Sequence, residues 1–260
     1  MVKNWAAEFL NFALSLADTS GPIIRRHFRT SMDIDTKPDN SPVTIADREV
    51  EKTMRTLIEK HYPEHGVFGE EFGQNQKDSE FLWCIDPIDG TKAFTSGKPI
   101  FGTLISLLHL GQPIIGIIDQ PVLHERWIGS RGKPTVLNGS QIHTRFCSNL
   151  EKAVLNTTSP DMFIDKDWSR FRRLSEKTKD TFYGGDCYGY AMLACGHIDL
   201  VVEADLKPYD YFALVPVLQG AGALISDWQG KSLDLNSDGH VIAAGDSKLL
   251  PKVVEVLNSE

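Results

Sequence analysis

An apolar run, Phe81-Leu82-Trp83-Cys84-Ile85, leads directly into Asp86-Pro87-Ile88-Asp89-Gly90-Thr91. The run reads as a buried strand. Pro87 lacks the N–H that a sheet ladder needs and disfavours the α conformation at Asp86, so the strand is expected to stop there. Two carboxylates, three residues apart, then arrive on a stiff turn at a strand's carboxyl end. Hard oxygen ligands so placed can share a divalent cation. Gly90 and Thr91 add backbone N–H groups and a hydroxyl, suited to an anionic oxygen at a helix start. The stretch reads as a metal-assisted phosphate site. Taken alone, the hexapeptide is better explained as a solvated Asp-Gly turn. Its company changes that.

Three more acidic elements have the right chemistry. Gly69-Glu70-Glu71 follows the short apolar Val67-Phe68, again at an expected strand end. Ser41-Pro42-Val43-Thr44-Ile45-Ala46-Asp47 opens a helix whose apolar face is Ala46, Val50, Met54, Leu57 and Ile58. Thr44 with Asp47 resembles a capping box with Asp in place of Glu, so capping and catalysis compete for Asp47. Lys207-Pro208-Tyr209-Asp210 opens another helix, Tyr211 to Leu218, just before Gly220-Ala221-Gly222-Ala223. Each carboxylate lies at a junction between elements, where ligands converge in α/β folds. The carboxylates Glu70, Asp86, Asp89 and Asp210 supply only oxygens, which suits Mg2+ or Mn2+ better than zinc.

On these residues the chain resembles the inositol monophosphatase family. That family's Glu-Glu pair, D-P-[IL]-D-G-T turn and later W-D before A-G-G all have counterparts here, in order, from Phe9 to about Lys231. Two positions depart. Tyr209 stands where Trp usually precedes the distal Asp, and Ala223 replaces the second glycine of A-G-G, so no positive φ is expected there. Within the family the chain is similar to the histidinol-phosphate phosphatase branch. Residues 86–102 (DPIDGTKAFTSGKPIFG), 116–127 (GIIDQPVLHERW), 183–188 (YGGDCY) and 206–217 (LKPYDYFALVPV) carry that likeness.

The resemblance implies an α/β (α+β) fold layered α-β-α-β-α, of the inositol monophosphatase and sugar phosphatase type. It also implies that Glu70, Asp86 and Ile88 hold one Mg2+, and that Asp86, Asp89 and Asp210 hold another. Two or three ions are expected, with Mn2+ able to substitute. Asp47, Thr91 and Glu70 are the implied catalytic residues. Thr91 would orient a nucleophilic water and pass a proton toward Asp47, although it could instead cap the helix that follows. Gly90, Thr91, Gly185 and Asp186 are the implied substrate contacts. The implied substrate is a small phosphate monoester, L-histidinol phosphate, with inositol 1-phosphate or another sugar or polyol phosphate as the alternative. Asp186 stands where inositol-type relatives tend to have a small or hydroxyl residue, and a carboxylate there would pair with a cationic substrate. An N-cap on the Cys187 helix is the competing reading. A homodimer is also implied.

Two closely packed lobes are expected: an α+β lobe at 1–140 with most metal ligands, and an α/β lobe at 141–260 with Asp210 and the substrate-side residues. The turn-rich Gly129–Gly139 marks the boundary. Gly102–Leu110 and Pro113–Asp119 form an expected hairpin about Gly111-Gln112, and Glu125–Ile128 adds a strand. In the second half, Val154–Thr157, Thr181–Gly184, Ile198–Val202, Leu224–Ser226 and His240–Ala243 read as strands. Helices are expected near Trp168–Thr178, Cys187–Ala194, Tyr211–Leu218 and Lys248–Leu257. The N-terminal helix shows Trp5, Phe9, Phe12, Leu16 and Ala17 on one face, and Gly21-Pro22 could kink or divide it.

A net charge of −8 argues against a nucleic-acid surface. It agrees with metal dependence, since an acidic protein needs cations to accept a phosphate. Arg25, Arg26, His27 and Arg29 fit the end of a helix, where they complement its dipole. Cys84, Cys147, Cys187 and Cys195 form no CxxC pair and read as reduced thiols. Glu8 and Asn11 interrupt any signal-peptide core, and no apolar run approaches the roughly 18 residues of a spanning helix. A cytoplasmic protein with no membrane contact is expected.

Overall fold

The computed structural model of the chain describes residues 5–31, 34–36, 42–76 and 79–259, so Ser41 and the residues before Trp5 lie outside it. The chain opens with helix α1 (Trp5–His27), strands β1 (Ile34–Thr36) and β2 (Pro42–Thr44), and helix α2 (Ile45–His61). Strands β3 (Gly66–Gly69), β4 (Gly73–Gln74) and β5 (Phe81–Asp89) follow, then the short α3 (Thr91–Thr95). Four antiparallel additions come next: β6 (Gly102–His109), β7 (Gln112–Gln120), β8 (Glu125–Ser130) and the ribbon β9 (Val136–Leu137) and β10 (Ser140–Gln141). Together β3–β10 make an eight-stranded sheet in the order β10-β9-β8-β7-β6-β5-β3-β4, antiparallel except where β3 meets β5.

The second half begins with β11 (Val154–Thr157), α4 (Lys166–Ser175), β12 (Asp180–Tyr183), α5 (Cys187–Ala194) and β13 (Leu200–Glu203). It ends with α6 (Pro208–Tyr211), α7 (Leu214–Ala221), β14 (Leu224–Ser226), β15 (Val241–Ala244) and α8 (Leu249–Asn258). Its five strands lie in the order β12-β11-β13-β15-β14, with β11 parallel to both neighbours and the other pairs antiparallel.

Three apolar clusters show how the layers stack. Trp83, Ile85, Ile105 and Ile117 face Phe9 and Leu16 of α1 and Val50 and Met54 of α2. On the opposite face of the same sheet, Leu82, Cys84, Leu104 and Ile118 meet Tyr190 of α5, Tyr211 of α6 and Leu218 of α7. That cluster continues into Val201 and Val241 of the second sheet. The far face of the second sheet, with Leu155, Leu200 and Ile242, packs on Phe171 of α4 and Val253 of α8. Helix, sheet, helix, sheet, helix is the layering expected. The middle layer presses hard on the first sheet. A Cβ on Gly116 would lie 2.1 Å from the Ala213 carbonyl, and one on Gly129 would lie 2.3 Å from the Val217 nitrogen. Only glycine lets α7 sit this close, and that approach sets the position of α6.

Several expectations need correction. Strand β5 does not stop at Asp86 but continues to Asp89, through a register shift between Asp86 and Asp89. Pro87 sits inside this irregularity, where its missing N–H breaks no regular ladder. Its carbonyl accepts a hydrogen bond from Thr103 Oγ1 at 2.8 Å. The β6–β7 hairpin turns at Leu110-Gly111 rather than Gly111-Gln112, because His109 pairs with Gln112. Both turn residues have positive φ, 50° and 75°, the combination a two-residue hairpin of right-handed twist requires. Helix α1 runs unbroken through Pro22. The expected helix at Tyr211–Leu218 is two helices, α6 and α7, and α4 lies at Lys166–Ser175, earlier than read. The expectation for Ala223 holds, since it has no positive φ and the left-handed residue is Gly222, at the end of α7. All four cysteines are free, and Cys147 and Cys195 are only half-buried.

Candidate active site

Parallel pairing of β3 with β5 sets Gly69 opposite Ile85, so the chain leaving β3 carries Glu70 to the side of Asp86. The two carboxyls share a hydrogen bond. Asp86 is buried, and its Oδ1 accepts from the Ile88 N–H at 2.9 Å. Asp89, three residues on, accepts from the Cys187 N–H through Oδ2 at 2.5 Å, which ties β5 to the start of α5. Asp210 arrives from the opposite side on α6. Its Oδ2 accepts from the Lys207 N–H at 2.7 Å, and Pro208 sits in the first turn. Asp86, Asp89 and Asp210 each offer a carboxylate oxygen, all within 4.8 Å of one another.

Such crowding is unfavourable for bare anions. Burial pushes the Asp86 carboxyl well above its ordinary range, and Glu70, Asp89 and Asp210 add to the shift. Asp89 is pushed up to about 8 by burial and by the charge of Asp210, against the Cys187 hydrogen bond. Asp210 is likewise pushed up to about 8, by burial first, with Glu70 and Glu203 raising it and the Lys207 N–H opposing. A group of like charges made wholly of oxygen donors, with Asp86 buried and Asp89 and Asp210 half-buried, fits a hard divalent cation, which would reverse all three shifts.

The turn after Asp89 holds Gly90 at φ 90° as the N-cap of α3, with no side-chain cap. Thr91 is therefore inside the helix, and its hydroxyl donates to the Ile88 carbonyl at 3.0 Å. Asp47 lies in the first turn of α2. Its Oδ2 accepts from the Thr44 N–H at 2.8 Å and from the Thr44 hydroxyl at 2.6 Å, completing the expected capping box. Strand β2, which leads into α2, packs against α3, so the Asp47 end of α2 stands beside the Thr91 helix.

Asp186 occupies the N-cap position of α5 but makes no side-chain cap bond, and its backbone is held at φ 47°, ψ −136°. Its N–H donates to Thr158 Oγ1 at 3.0 Å. Its carboxylate lies over the β5–α3 turn: a Cβ on Gly90 would stand 2.9 Å from Asp186 Oδ2. Burial, then the charges of Asp89 and Glu203, push Asp186 up to about 8, with Lys92 opposing. Gly185 just before it has φ 132°, and its carbonyl accepts from the Tyr188 N–H at 2.8 Å.

Asp89, Asp186 and Asp210 line a cavity of about 50 Å3 together with Tyr190 and Glu203. Wider grooves, such as that between Arg25 and Arg126, hold none of these carboxylates. Sequence reasoning missed Glu203. It is buried at the end of β13, accepting from the Thr158 N–H and the Tyr190 hydroxyl, each at 2.9 Å. The signal was present: Leu200-Val201-Val202-Glu203 places an acid at a strand's carboxyl end, as Glu70 and Asp89 are placed.

The inositol monophosphatase family profile matches residues 5–260. The chain is 49% identical to the bifunctional phosphatase IMPL2, chloroplastic, of Arabidopsis thaliana, over 94% of this chain and 73% of that one. It is 34% identical to a histidinol-phosphatase of Mycobacterium tuberculosis, covering 85% and 88% of the two chains. The structure of an inositol monophosphatase from Zymomonas mobilis overlays with a TM-score of 0.90 at 47% identity, covering 97% and 98%. Among the described residues no helix is long and apolar enough to cross a membrane. Because the match runs through both sheets and every strand end that carries an acid, the chain belongs to the inositol monophosphatase family, and it is a phosphatase.

Proposed function

We propose that this phosphatase hydrolyses L-histidinol phosphate and depends on Mg2+. The observation that carries the substrate is Asp186. Its carboxylate is not spent on capping α5 and instead lies against Gly90, beside the acid cluster. An acid there serves a leaving alcohol that bears a cation, whereas a polyol needs only neutral hydrogen bonds. The histidinol-phosphatase among the relatives supports the same choice.

Glu70, Asp86, the Ile88 carbonyl, Asp89 and Asp210 would hold the metal, which when bound neutralises phosphate charge and lowers the pKa of a coordinated water. The remaining work falls to this chain's own groups. Backbone N–H groups at Gly90 and Thr91 face the phosphate oxygens. The Thr91 hydroxyl orients the attacking water and relays its proton toward Asp47. Asp186 pairs with the ammonium or imidazolium of the substrate, and that cation offsets the burial that raises its pKa. The expected homodimer and cytoplasmic location belong to this proposal too, and light scattering and cell fractionation test them.

A second reading, an inositol monophosphatase, draws support from the Zymomonas mobilis structure at 47% identity. Steady-state kinetics on L-histidinol phosphate and inositol 1-phosphate, with wild type and Asp186→Asn, decide between them. Loss of a buried charge pair costs roughly 2–5 kcal/mol, so kcat/KM for histidinol phosphate should fall about 30-fold or more. Inositol 1-phosphate should lose little. Equal losses on both substrates would assign Asp186 to the scaffold and favour the inositol reading.

A further inference from the structure

Glu51 lies on α2, one helical turn beyond Asp47, and its side chain is fully buried. A carboxylate in that position is costly unless every lone pair is met. Its Oε2 accepts from the Glu71 N–H at 2.7 Å, and its Oε1 accepts from the Phe72 N–H at 3.1 Å. Arg55, four residues along the helix, donates Nε to Oε1 at 2.8 Å and Nη2 to the Gly73 carbonyl. The carboxylate also fills the space where a side chain at residue 69 would stand, since a Cβ on Gly69 would lie 2.2 Å from Oε1.

These contacts enclose Glu70. Gly69 before it is fixed by its pairing with β5 and by the Glu51 carboxylate, and Glu71 and Phe72 after it are fixed through their N–H groups. We propose that Glu51 is a positioning residue that fixes the backbone on both sides of Glu70, so that α2 sets the aim of the Glu70 carboxylate as well as that of Asp47. The proposal rests on the reading of Glu70 as a metal ligand. Charge is what makes the device work. An anion accepts two backbone N–H bonds and a guanidinium at once, and Arg55 keeps that anion from adding to the repulsion among Asp86, Asp89 and Asp210. A neutral amide in its place would have to present a donor to one of those donors.

Mn2+ binding to the metal-free protein, followed by electron paramagnetic resonance without substrate, reads the effect directly. Residues that orient metal ligands typically change affinity 10–100-fold when altered, so Glu51→Gln should weaken Mn2+ binding about tenfold or more. The Mg2+ concentration for half-maximal turnover should rise by a similar factor, while KM for the phosphate ester at saturating Mg2+ changes less than about twofold. Amide exchange at Glu71 and Phe72 should quicken. Gly69→Ala should act in the same direction with the charge of Glu51 intact, and it carries the test alone if Glu51→Gln does not fold. Glu70→Gln is the control. If it weakens Mn2+ binding while Glu51→Gln and Gly69→Ala do not, Glu51 is scaffold and the proposal falls. If Glu70→Gln itself leaves Mn2+ binding unchanged, the metal role of Glu70 falls and takes the proposal with it.

Discussion

Three polar side chains, Asp47, Thr91 and Asp186, stand at helix starts, where capping alone could explain them. Their geometry separates the cases. Asp47 does cap, through both bonds to Thr44. Thr91 and Asp186 do not, because Gly90 holds the cap position of α3 and Asp186 makes no cap bond. Sequence could raise the question but not decide it, since cap chemistry and catalytic chemistry draw on the same short polar residues. The contrast yields a prediction for Thr91→Ala. It removes one hydrogen bond to the Ile88 carbonyl, so stability should fall by only about 1 kcal/mol. If the hydroxyl positions water in the transition state, kcat should drop on the order of 100-fold with KM nearly unchanged. Kinetics at saturating Mg2+, beside a urea melt, separate the two quantities. A change confined to KM would make Thr91 a binding group only.

At the scale of elements, strands that read clearly were those with long apolar runs, such as Phe81–Ile85 and Gly102–His109. Where the chain bends, local pattern misleads. The two-residue turn at Leu110-Gly111 puts a leucine at φ 50°, a conformation that propensity argues against and the β6–β7 register imposes. The break between α6 and α7 at Phe212-Ala213 lies four residues before Pro216, which has no N–H to donate to the Phe212 carbonyl and crowds it, a signal the reading of one helix passed over. Hidden from local pattern is how closely α7 presses onto Gly116 and Gly129, a contact far away in sequence. A third tertiary device was also hidden. His240, just before β15, bonds Asp167 of α4 through Nε2 at 2.8 Å and reaches Asp238 through Nδ1 at 3.0 Å. Arg170 approaches the other Asp167 oxygen, and the Trp228 ring packs on the imidazole. Burial opposes charge on the ring, but the two aspartates outweigh it and hold its pKa above the ordinary value. A raised histidine pKa stabilises fully below the unfolded value of about 6.5, and that contribution is lost as pH rises through the folded value. The stability gap between wild type and His240→Gln should therefore be larger at pH 6 than at pH 9. Urea denaturation at both pH values measures it. An equal gap would show that the neutral ring does the same packing.

Across the whole molecule, the acid cluster sits where the two halves of the chain meet. Asp86 and Asp89 come from the first sheet, while Asp186 and Asp210 come from segments flanking the second. The apolar cluster beneath them likewise joins Leu82 and Trp127 to Tyr190 and Val201. Ligand binding at this junction should therefore stabilise both halves together, and pH should modulate the effect. Asp89, Asp186 and Asp210 are each pushed up to about 8 without a cation, and Asp86 is raised as well. Unfolded aspartates titrate near 3.9, so between about pH 4 and pH 8 the metal-free folded state holds more protons than the unfolded state. Stability of the metal-free protein should then decline as pH rises through that window and level off above it. A divalent cation competes with those protons, so its stabilising effect should grow over the same window. At a Mg2+ concentration about 100 times Kd, the gain of roughly 2.7 kcal/mol corresponds to a Tm rise of about 5–10 °C for a chain of this size. Differential scanning calorimetry at pH 6 and pH 8.5, with Mg2+ and with EDTA, should show the larger rise at pH 8.5. A rise of equal size at both pH values, or none at either, would mean that these carboxylates do not bind the metal as a protonated, crowded cluster must.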